Sequence, residues 1–265
     1  MREASYAECL VSFLAHDLSD GETVLAGASS LLPRMAFRLA RLTHAPRLIV
    51  WSAFSYLAPG EDGVALGDSA TDYLATAPTG PHSGPEITLG DMRRIGDVFY
   101  VGGLQVDRYG NTNLWGLKDR EGHLALAGPG PVGTTTMGSF VGRTVITMTR
   151  HDSRTFVAAC DFVTCLGHRA PDGRSRSDLH LPGSGPSWVI SPLGIFDFNA
   201  EATMRLRFLP PGVSEPLVVE ATGFPLDTLG VEEVAPPSQD ELVILRSLID
   251  DTGQSLGAVM PRPAS

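Results

Sequence analysis

Two short apolar runs on either side of a helical pattern limit most strongly how this chain folds. Residues 22–27 (ETVLAG) and 47–53 (RLIVWSA) have the apolar and β-branched composition of buried strands. Between them, residues 29–46 place Met35 and Leu39 at helical spacing. A strand, a crossover helix and a second strand form a βαβ unit whose two strands lie parallel in one sheet. The sequence therefore predicts an α/β fold with an open, mainly parallel sheet flanked by helices.

The rest of the chain fits this class. Ala7, Leu10 and Leu14 share one face of a predicted first helix, and a capping box at residues 238–241 (SQDE) predicts the start of a last helix. Strands are predicted in the runs TVITMT, TFVAACDFVT, SWVISPLGIFDFN and TMRLRFLPPG.

No internal repeat or linker divides the sequence. Residues 60–90 are rich in Gly, Pro, Thr and Ser and predict a long surface connection. We expect a single domain over residues 1–250 and a loose C-terminal tail over residues 251–265.

Charge and cysteine content narrow the classes of function and compartment. A net charge of −10 and a pI near 5.1 argue against nucleic acid or an anionic membrane as partner, because both bind clustered Lys and Arg. No apolar run reaches the roughly 18 residues of a membrane span. Three cysteines make no complete disulfide framework and no signal-peptide pattern is present, so a cytoplasmic protein is expected.

A polar turn, GGLQVDRYGNTN, occupies residues 102–113 and allows two interpretations. Asp107, Asn111 and Asn113 have the composition of a tight turn in which side chains bond nearby backbone and Gly110 adopts positive φ. The same polar groups are suited to line a ligand site.

Several phrases resemble the class I coenzyme A transferases, specifically their beta-type subunit. They are GGLQVDRYGNTN, TFVAACDFVTCLGH, LPGSGPSWVISPLGIFDF and MRLRFLPPGVSEPLVVEATGFPL, in the family's order, and the similarity covers about residues 5 to 250. The most detailed similarity is to the glutaconate transferases and the steroid ring-cleaving CoA hydrolases. The resemblance implies an acyl-CoA thioester as substrate, no metal, and an alpha-type partner subunit in an α2β2 or larger assembly, with the active site between the subunits.

The resemblance also marks a departure at Ser52. The transferases carry a nucleophilic Glu at the end of the strand matching residues 47–53, and a carboxylate suits that covalent relay. The next carboxylate along this chain is Glu61. Three alternatives follow: hydrolysis with a base from the partner, CoA transfer with a carboxylate from the partner or Glu61, and a catalytically silent scaffold. A nucleophilic Ser52 is disfavoured, because no G-x-S-x-G elbow is present.

The resemblance assigns other residues to the pocket. Gln105 is the first choice for a substrate-facing residue, since its amide N–H groups suit a thioester oxyanion. Gly102 and Gly103 allow close approach of backbone to a ligand, and Gly128 and Gly130 are proposed amide donors. The residues predicted to bind substrate or CoA are Gly102, Gly103, Asp107, Asn111, Asn113, Gly128 and Gly130.

Other reactive side chains have structural interpretations. Cys160 and Cys165 lack the spacing of a redox or zinc pair and are expected to be core thiols. The loop that holds His168, Arg176 and His180 could meet a CoA phosphate, although an exposed solvated loop is favoured.

Overall fold

The computed structural model describes residues 2–27, 30–52, 55–57, 96–131, 133–253 and 256. They fall in two compact units, one comprising Met1–Ile87, Gly96–Tyr100 and Val234–Ser265, the other Thr88–Ile95 and Val101–Glu233. Glu61, the connection over residues 60–90 and most of the predicted tail lie outside the described residues, and the single domain stays a prediction.

Both units contain helices and strands. The described helices are α1 (Tyr6–His16), α2 (Leu31–Thr43), α3 (Thr134–Phe140), α4 (Glu215–Ala221) and α5 (Gln239–Ile244), which continues as a π-helical turn (Leu245–Ile249). The described strands are β1 (Thr23–Ala26), β2 (Ile49–Ser52), β3 (Ser55–Leu57), β4 (Val98–Val101), β5 (Gln105–Asp107), β6 (Thr112–Asn113), β7 (Gly116–Lys118), β8 (Leu124–Ala127), β9 (Arg143–Thr147), β10 (Phe156–Val157), β11 (Pro186–Ser191), β12 (Gly194–Phe198), β13 (Met204–Leu209) and β14 (Glu232–Glu233).

The first unit contains the predicted βαβ arrangement. Strand β1 is parallel to both β2 and β4, so that Ala26 is in register with Ser52 on one side and Tyr100 on the other. Strand β3 returns antiparallel to β2. The prediction of two parallel strands joined by α2 is confirmed.

The helices of this unit differ in how they begin. Helix α1 has a complete capping box between Ser5 and Glu8, and the predicted apolar face is fully buried. Ser30 lies at the N-cap of helix α2, but its side chain makes no capping hydrogen bond. Helix α5 has the predicted box between Ser238 and Glu241.

Two side-chain contacts join α1 to α5 and its π-helical turn. Arg246 donates from Nε to Glu8 Oε1 at 2.6 Å, and His16 Nε2 donates to Glu241 Oε1 at 2.8 Å. Glu8 is fully buried, yet its hydrogen bonds from Arg246 and Ser5 outweigh the desolvation that opposes them and lower the pKa of this carboxyl. The pairing keeps a buried charge neutralised.

The second unit mixes parallel and antiparallel strands. Strands β9 and β11 are parallel, β11, β12 and β13 form antiparallel neighbours, and β14 is parallel to β13. A small sheet has the order β10-β5-β6, and β7 and β8 form a hairpin. Taken with the first unit, the predicted α/β class with a mainly parallel sheet is confirmed.

In this unit, one predicted strand is shorter than expected and one helix was not predicted. The strand predicted over residues 155–164 extends only over Phe156–Val157, because the residues after it turn to meet β5 and β6. Helix α3 was not predicted, since a helix of only 7 residues carries little periodicity.

The lengths of the described helices also bear on membrane insertion. Among the residues that the structure describes, no helix is both long enough and apolar enough to cross a membrane.

Candidate active site

The Asp107 carboxylate organises the polar turn between β5 and β6. Its Oδ1 accepts hydrogen bonds from the backbone amides of Tyr109 at 2.9 Å and Asn111 at 3.1 Å, and Oδ2 accepts from Asn111 Nδ2 at 2.8 Å. Burial is the largest influence and raises the pKa of this carboxyl, against the effect of these bonds. Gly110 has φ +75°, as predicted. The Asp107 carboxylate therefore stabilises the turn, because both of its oxygens are bonded to groups of the turn.

Asn111 connects the turn to a second loop. Its Nδ2 also donates to the Arg169 carbonyl at 2.9 Å, and its Oδ1 accepts from the Gly167 amide at 2.8 Å. Because the polar atoms of its carboxamide all have protein partners, Asn111 locks two loops together.

Gln105 is buried at the start of β5, with 6% of its surface exposed. Its Oε1 accepts from Asn113 Nδ2 at 2.8 Å and from the Asp161 amide at 3.0 Å. Its Nε2 donates to Asp161 Oδ2 at 3.3 Å. One Nε2 hydrogen therefore stays without a partner among the residues that the structure describes. That hydrogen is the part of Gln105 available to a ligand.

Asn113 is completely buried and serves the loop that follows β6. Its Oδ1 accepts from the amides of Trp115 at 2.9 Å and Gly116 at 3.3 Å, and its Nδ2 donates to the Gly116 carbonyl at 2.7 Å. Of the eight turn and loop residues assigned to the pocket, Gln105 retains a donor hydrogen, whereas Asp107, Asn111 and Asn113 are engaged within the protein.

Asp161 is a carboxylate of this cluster that the sequence did not point to. Besides its contact with Gln105, its Oδ2 accepts from the Lys118 amide at 3.0 Å. Asp161 lies 56 residues from Gln105 in the chain, so no local spacing indicates that the two meet. The structure thus places a half-buried carboxylate next to the predicted substrate-facing amide.

Gly102 and Gly103 allow close backbone packing before β5. A Cβ at Gly103 would lie 2.7 Å from the Gln105 carbonyl oxygen, and one at Gly102 would lie 3.3 Å from the Thr147 carbonyl oxygen. The close approach at both positions is to the protein's own backbone.

The loop that follows β8 holds the two predicted amide donors. The Gly128 amide donates to the Trp115 carbonyl at 2.7 Å, and the Gly130 amide donates to the Leu114 carbonyl at 3.0 Å. Gly130 has φ +87°. Both amides are engaged in the described structure, so neither is available to an oxyanion unless these bonds open.

The loop considered for phosphate binding does not present its basic side chains together. Arg176 is 6% exposed and its guanidinium donates to backbone carbonyls, including that of Gly183 at 2.8 Å and that of Ser139 at 3.0 Å. His168 donates from Nε2 to the Pro186 carbonyl at 2.9 Å. The expectation of a wholly solvated loop is wrong for Arg176, because its donors satisfy carbonyls of three converging segments.

The cysteines are free thiols. Burial raises the pKa of Cys165 to about 12 and shifts the pKa of Cys160 further in the same direction. Cys160 donates from Sγ to the Asn111 carbonyl at 3.2 Å. Neither thiol has the low pKa of a reactive cysteine.

Comparison with curated proteins gives the family. The chain is 30% identical over 260 residues to the B-type subunit of 3-oxoadipate CoA-transferase from Pseudomonas knackmussii, covering 97% of this chain and 98% of that protein. The chain belongs to the CoA-transferase family, as a subunit of the B type. No model of a protein family matches it.

Two further relatives of this CoA-transferase subunit differ in their named activities. The B-type subunit of glutaconate CoA-transferase from Acidaminococcus fermentans is 30% identical over 248 residues, covering 89% of each chain. The IpdB subunit of the cholesterol ring-cleaving hydrolase from Mycobacterium tuberculosis is 28% identical over 260 residues, covering 92% of this chain and 94% of that protein. The family resemblance inferred from the motifs is confirmed.

Solved structures confirm the fold of the CoA-transferase subunit. Glutaconate CoA-transferase from Acidaminococcus fermentans superposes with a TM-score of 0.78 at 26% identity, covering 98% of both chains. The decarboxylase AibA/AibB gives a TM-score of 0.80 at 24% identity, covering 97% of this chain and 99% of that one. IpdAB from Rhodococcus jostii gives 0.78 at 24% identity, covering 98% and 99%.

Ser52 ends strand β2 of the CoA-transferase subunit. Its backbone is in register with Ala26 of β1 and Ser55 of β3. This position is the carboxyl end of a parallel strand, where ligands of α/β proteins commonly bind. Ser52 belongs to the first compact unit and Gln105 to the second.

Proposed function

We propose that this chain is the beta-type subunit of a heteromeric enzyme that hydrolyses an acyl-CoA derivative, at the thioester or at a ring C–C bond. The observation that carries the proposal is Ser52 at the strand end where the resemblance places the transferase Glu. The sequence has no acidic residue between Glu22 and Glu61. A covalent relay through this strand therefore lacks its carboxylate.

In this proposal the two subunits divide the chemistry. A base of the alpha-type partner removes a proton from water, and the water oxygen attacks the acyl carbonyl carbon. The free Nε2 hydrogen of Gln105 donates to the oxygen on which negative charge develops. The C–S bond then breaks, and the departing thiolate takes up the proton from the base. The amides of Gly128 and Gly130 are not assigned to this step, because both donate to backbone carbonyls.

CoA transfer is the second candidate. It is favoured by the names of two relatives at 30% identity, both of which are CoA-transferase subunits of the B type. In this case the partner or Glu61 supplies the carboxylate, which attacks the thioester and expels CoA thiolate to give a mixed anhydride. The thiolate then attacks the enzyme carbonyl of the anhydride, which releases the free acid and leaves CoA as an enzyme-bound thioester.

The test uses the chain co-purified with an alpha-type subunit. Glutaconyl-CoA and 3-oxoadipyl-CoA are supplied with and without acetate as acceptor, and free thiol is followed with a thiol-reactive dye. Hydrolysis of the thioester releases CoA without acetate, whereas transfer forms acetyl-CoA and leaves a protein-bound thioester that hydroxylamine cleaves. An alpha-type subunit that is equally active alone would show that this chain is only a scaffold.

A further inference from the structure

We propose that Asn113 and Asp161 are positioning residues that hold the Gln105 carboxamide in one of its two possible orientations. The importance of that orientation for catalysis rests on the proposed function, in which Gln105 donates to the substrate oxygen. The orientation itself rests on the contacts of these three side chains.

The oxygen end of the amide is fixed by two donors. Asn113 Nδ2 lies 2.8 Å from Gln105 Oε1, and the Asp161 backbone amide lies 3.0 Å from the same oxygen. Neither donor can act as an acceptor here. If the amide of Gln105 turned over, its NH₂ group would face two other N–H groups and lose both bonds.

The nitrogen end is fixed by an acceptor. Gln105 Nε2 lies 3.3 Å from Asp161 Oδ2, and that oxygen also accepts from the Lys118 amide at 3.0 Å. An ionised carboxylate accepts hydrogen bonds and cannot donate them. The reversed amide would therefore place its carbonyl oxygen against a negative charge.

Asn113 is itself unable to turn over. Its Oδ1 accepts from the Trp115 and Gly116 amides, and its Nδ2 donates to the Gly116 carbonyl at 2.7 Å. The Asn113 side chain is completely buried, so water cannot replace these partners. The backbone groups of Trp115 and Gly116 therefore fix Asn113, which in turn holds the oxygen end of the Gln105 amide.

The arrangement gives Gln105 a fixed polarity toward a ligand. Both lone pairs of Oε1 are used and one Nε2 hydrogen is used, so the remaining hydrogen makes Gln105 a donor and not an acceptor. A thioester or enolate oxygen requires a donor. Asn113 and Asp161 act on the substrate only through Gln105.

A pair of variants tests the contact through stability. In Gln105→Glu a second carboxylate faces Asp161, so we expect the melting temperature of the full chain to fall by on the order of 5 °C at pH 8. Adding Asp161→Asn removes the repulsion and lets an amide donate to Glu at position 105, although it gives up the hydrogen bond from the exposed Lys118 amide, so at least half of the loss should be recovered.

Asp152→Asn is the matched control for Asp161→Asn. Asp152 also accepts from backbone amides, those of Arg154 at 2.9 Å and Thr155 at 3.0 Å, but it has no hydrogen bond to Gln105. Combined with Gln105→Glu, the Asp152→Asn substitution should not recover any of the lost melting temperature. Equal recovery by both second substitutions, or no recovery by Asp161→Asn, would overturn the positioning role.

Activity of the complex separates this inference from the proposed function. The double variant Gln105→Glu/Asp161→Asn keeps a paired contact but lacks the donor hydrogen, so kcat should stay about 10- to 100-fold below wild type despite recovered stability. Recovered stability with wild-type kcat would leave the orientation intact and refute the catalytic assignment of Gln105. Unrecovered stability would refute the orientation whatever the activity.

Discussion

The imidazole of His151 stacks on the ring of Phe156, with ring centroids 3.6 Å apart and planes inclined by 9°. Its Nδ1 is hydrogen-bonded to Ser191 Oγ at 2.7 Å and its Nε2 to Thr222 Oγ1 at 3.0 Å. Burial lowers the pKa of His151 to about 3, and the charge of Asp152 opposes this weakly. The imidazole is therefore a neutral, partly buried structural group of the second unit.

Because His151 is partly buried in its neutral form, we predict that the protein becomes less stable as the pH is lowered. Below pH 6.5 the unfolded chain binds a proton at His151 that the folded protein excludes until about pH 3, so stability present at neutral pH is lost as pH falls through this window. The expected slope for this group approaches about 1.4 kcal/mol per pH unit. Urea denaturation at pH 7 and pH 4.5 should show a larger loss for the wild type than for His151→Gln, and equal losses would contradict the assignment.

Restoring a carboxylate at position 52 should restore transferase chemistry. In Ser52→Glu, the complex incubated with an acyl-CoA is expected to accumulate a glutamyl-CoA thioester on this chain, because a carboxylate can attack the thioester and carry the coenzyme. Intact-protein mass spectrometry would detect the CoA adduct, and hydroxylamine would remove it. Ser52→Ala should give no adduct, and an adduct on wild-type protein would argue against hydrolysis.

Arg176→Lys should be strongly destabilising. The Arg176 guanidinium bonds the carbonyls of Gly183, Leu166, Gly167, Gly138 and Ser139. A lysine ammonium has a different geometry and fewer donors, so we expect a loss of about 2–4 kcal/mol in the free energy of unfolding. Arg174→Lys is the control, because Arg174 pairs with Asp172 on the exposed surface, where solvent weakens ion pairs, and this substitution should leave the free energy of unfolding nearly unchanged. Similar losses in urea denaturation would refute this account.

A pair of glycine substitutions separates backbone strain from steric clash. Gly110 and Gly122 have φ +75° and +86°, so alanine is strained at both, by about 1–2 kcal/mol. Only at Gly110 does the new Cβ meet other side chains, at 2.6 Å from Pro186 and 2.8 Å from Phe198. Gly110→Ala should therefore lower the melting temperature more than Gly122→Ala. The reverse order would show that this packing is misassigned.

Local patterns in the sequence predicted much of the fold. The βαβ unit follows from alternating strand and helix periodicity, and the predicted box at Ser238 involves residues three positions apart. The positive φ at Gly110 follows from turn composition alone. These features depend on neighbours in the chain, which is why periodicity and capping rules predict them.

Rules that use only neighbouring residues did not predict most contacts of the candidate site. Asp161 meets Gln105 across 56 residues, and Arg176 reaches the Gly138 carbonyl across 38. In the sequence, Arg176 lies in a polar loop between His168 and His180 and is expected to be exposed. Only the folded structure shows that backbone carbonyls of three separate segments surround its guanidinium. Side-chain burial of this kind depends on tertiary packing, which one sequence does not display.

The ion pair between Arg246 and Glu8 also bears on the order in which the protein forms during synthesis. The first compact unit draws on residues before 88 and after 233, whereas every residue of the second precedes 234. During synthesis, all residues of the second unit leave the ribosome before Arg246 does. The second unit can therefore fold before Glu8 has its ion-pair partner, which lies 238 residues further along the chain. Until residue 246 emerges, the nascent first unit lacks the guanidinium that neutralises the Glu8 carboxylate in the folded protein, where that carboxylate is fully buried.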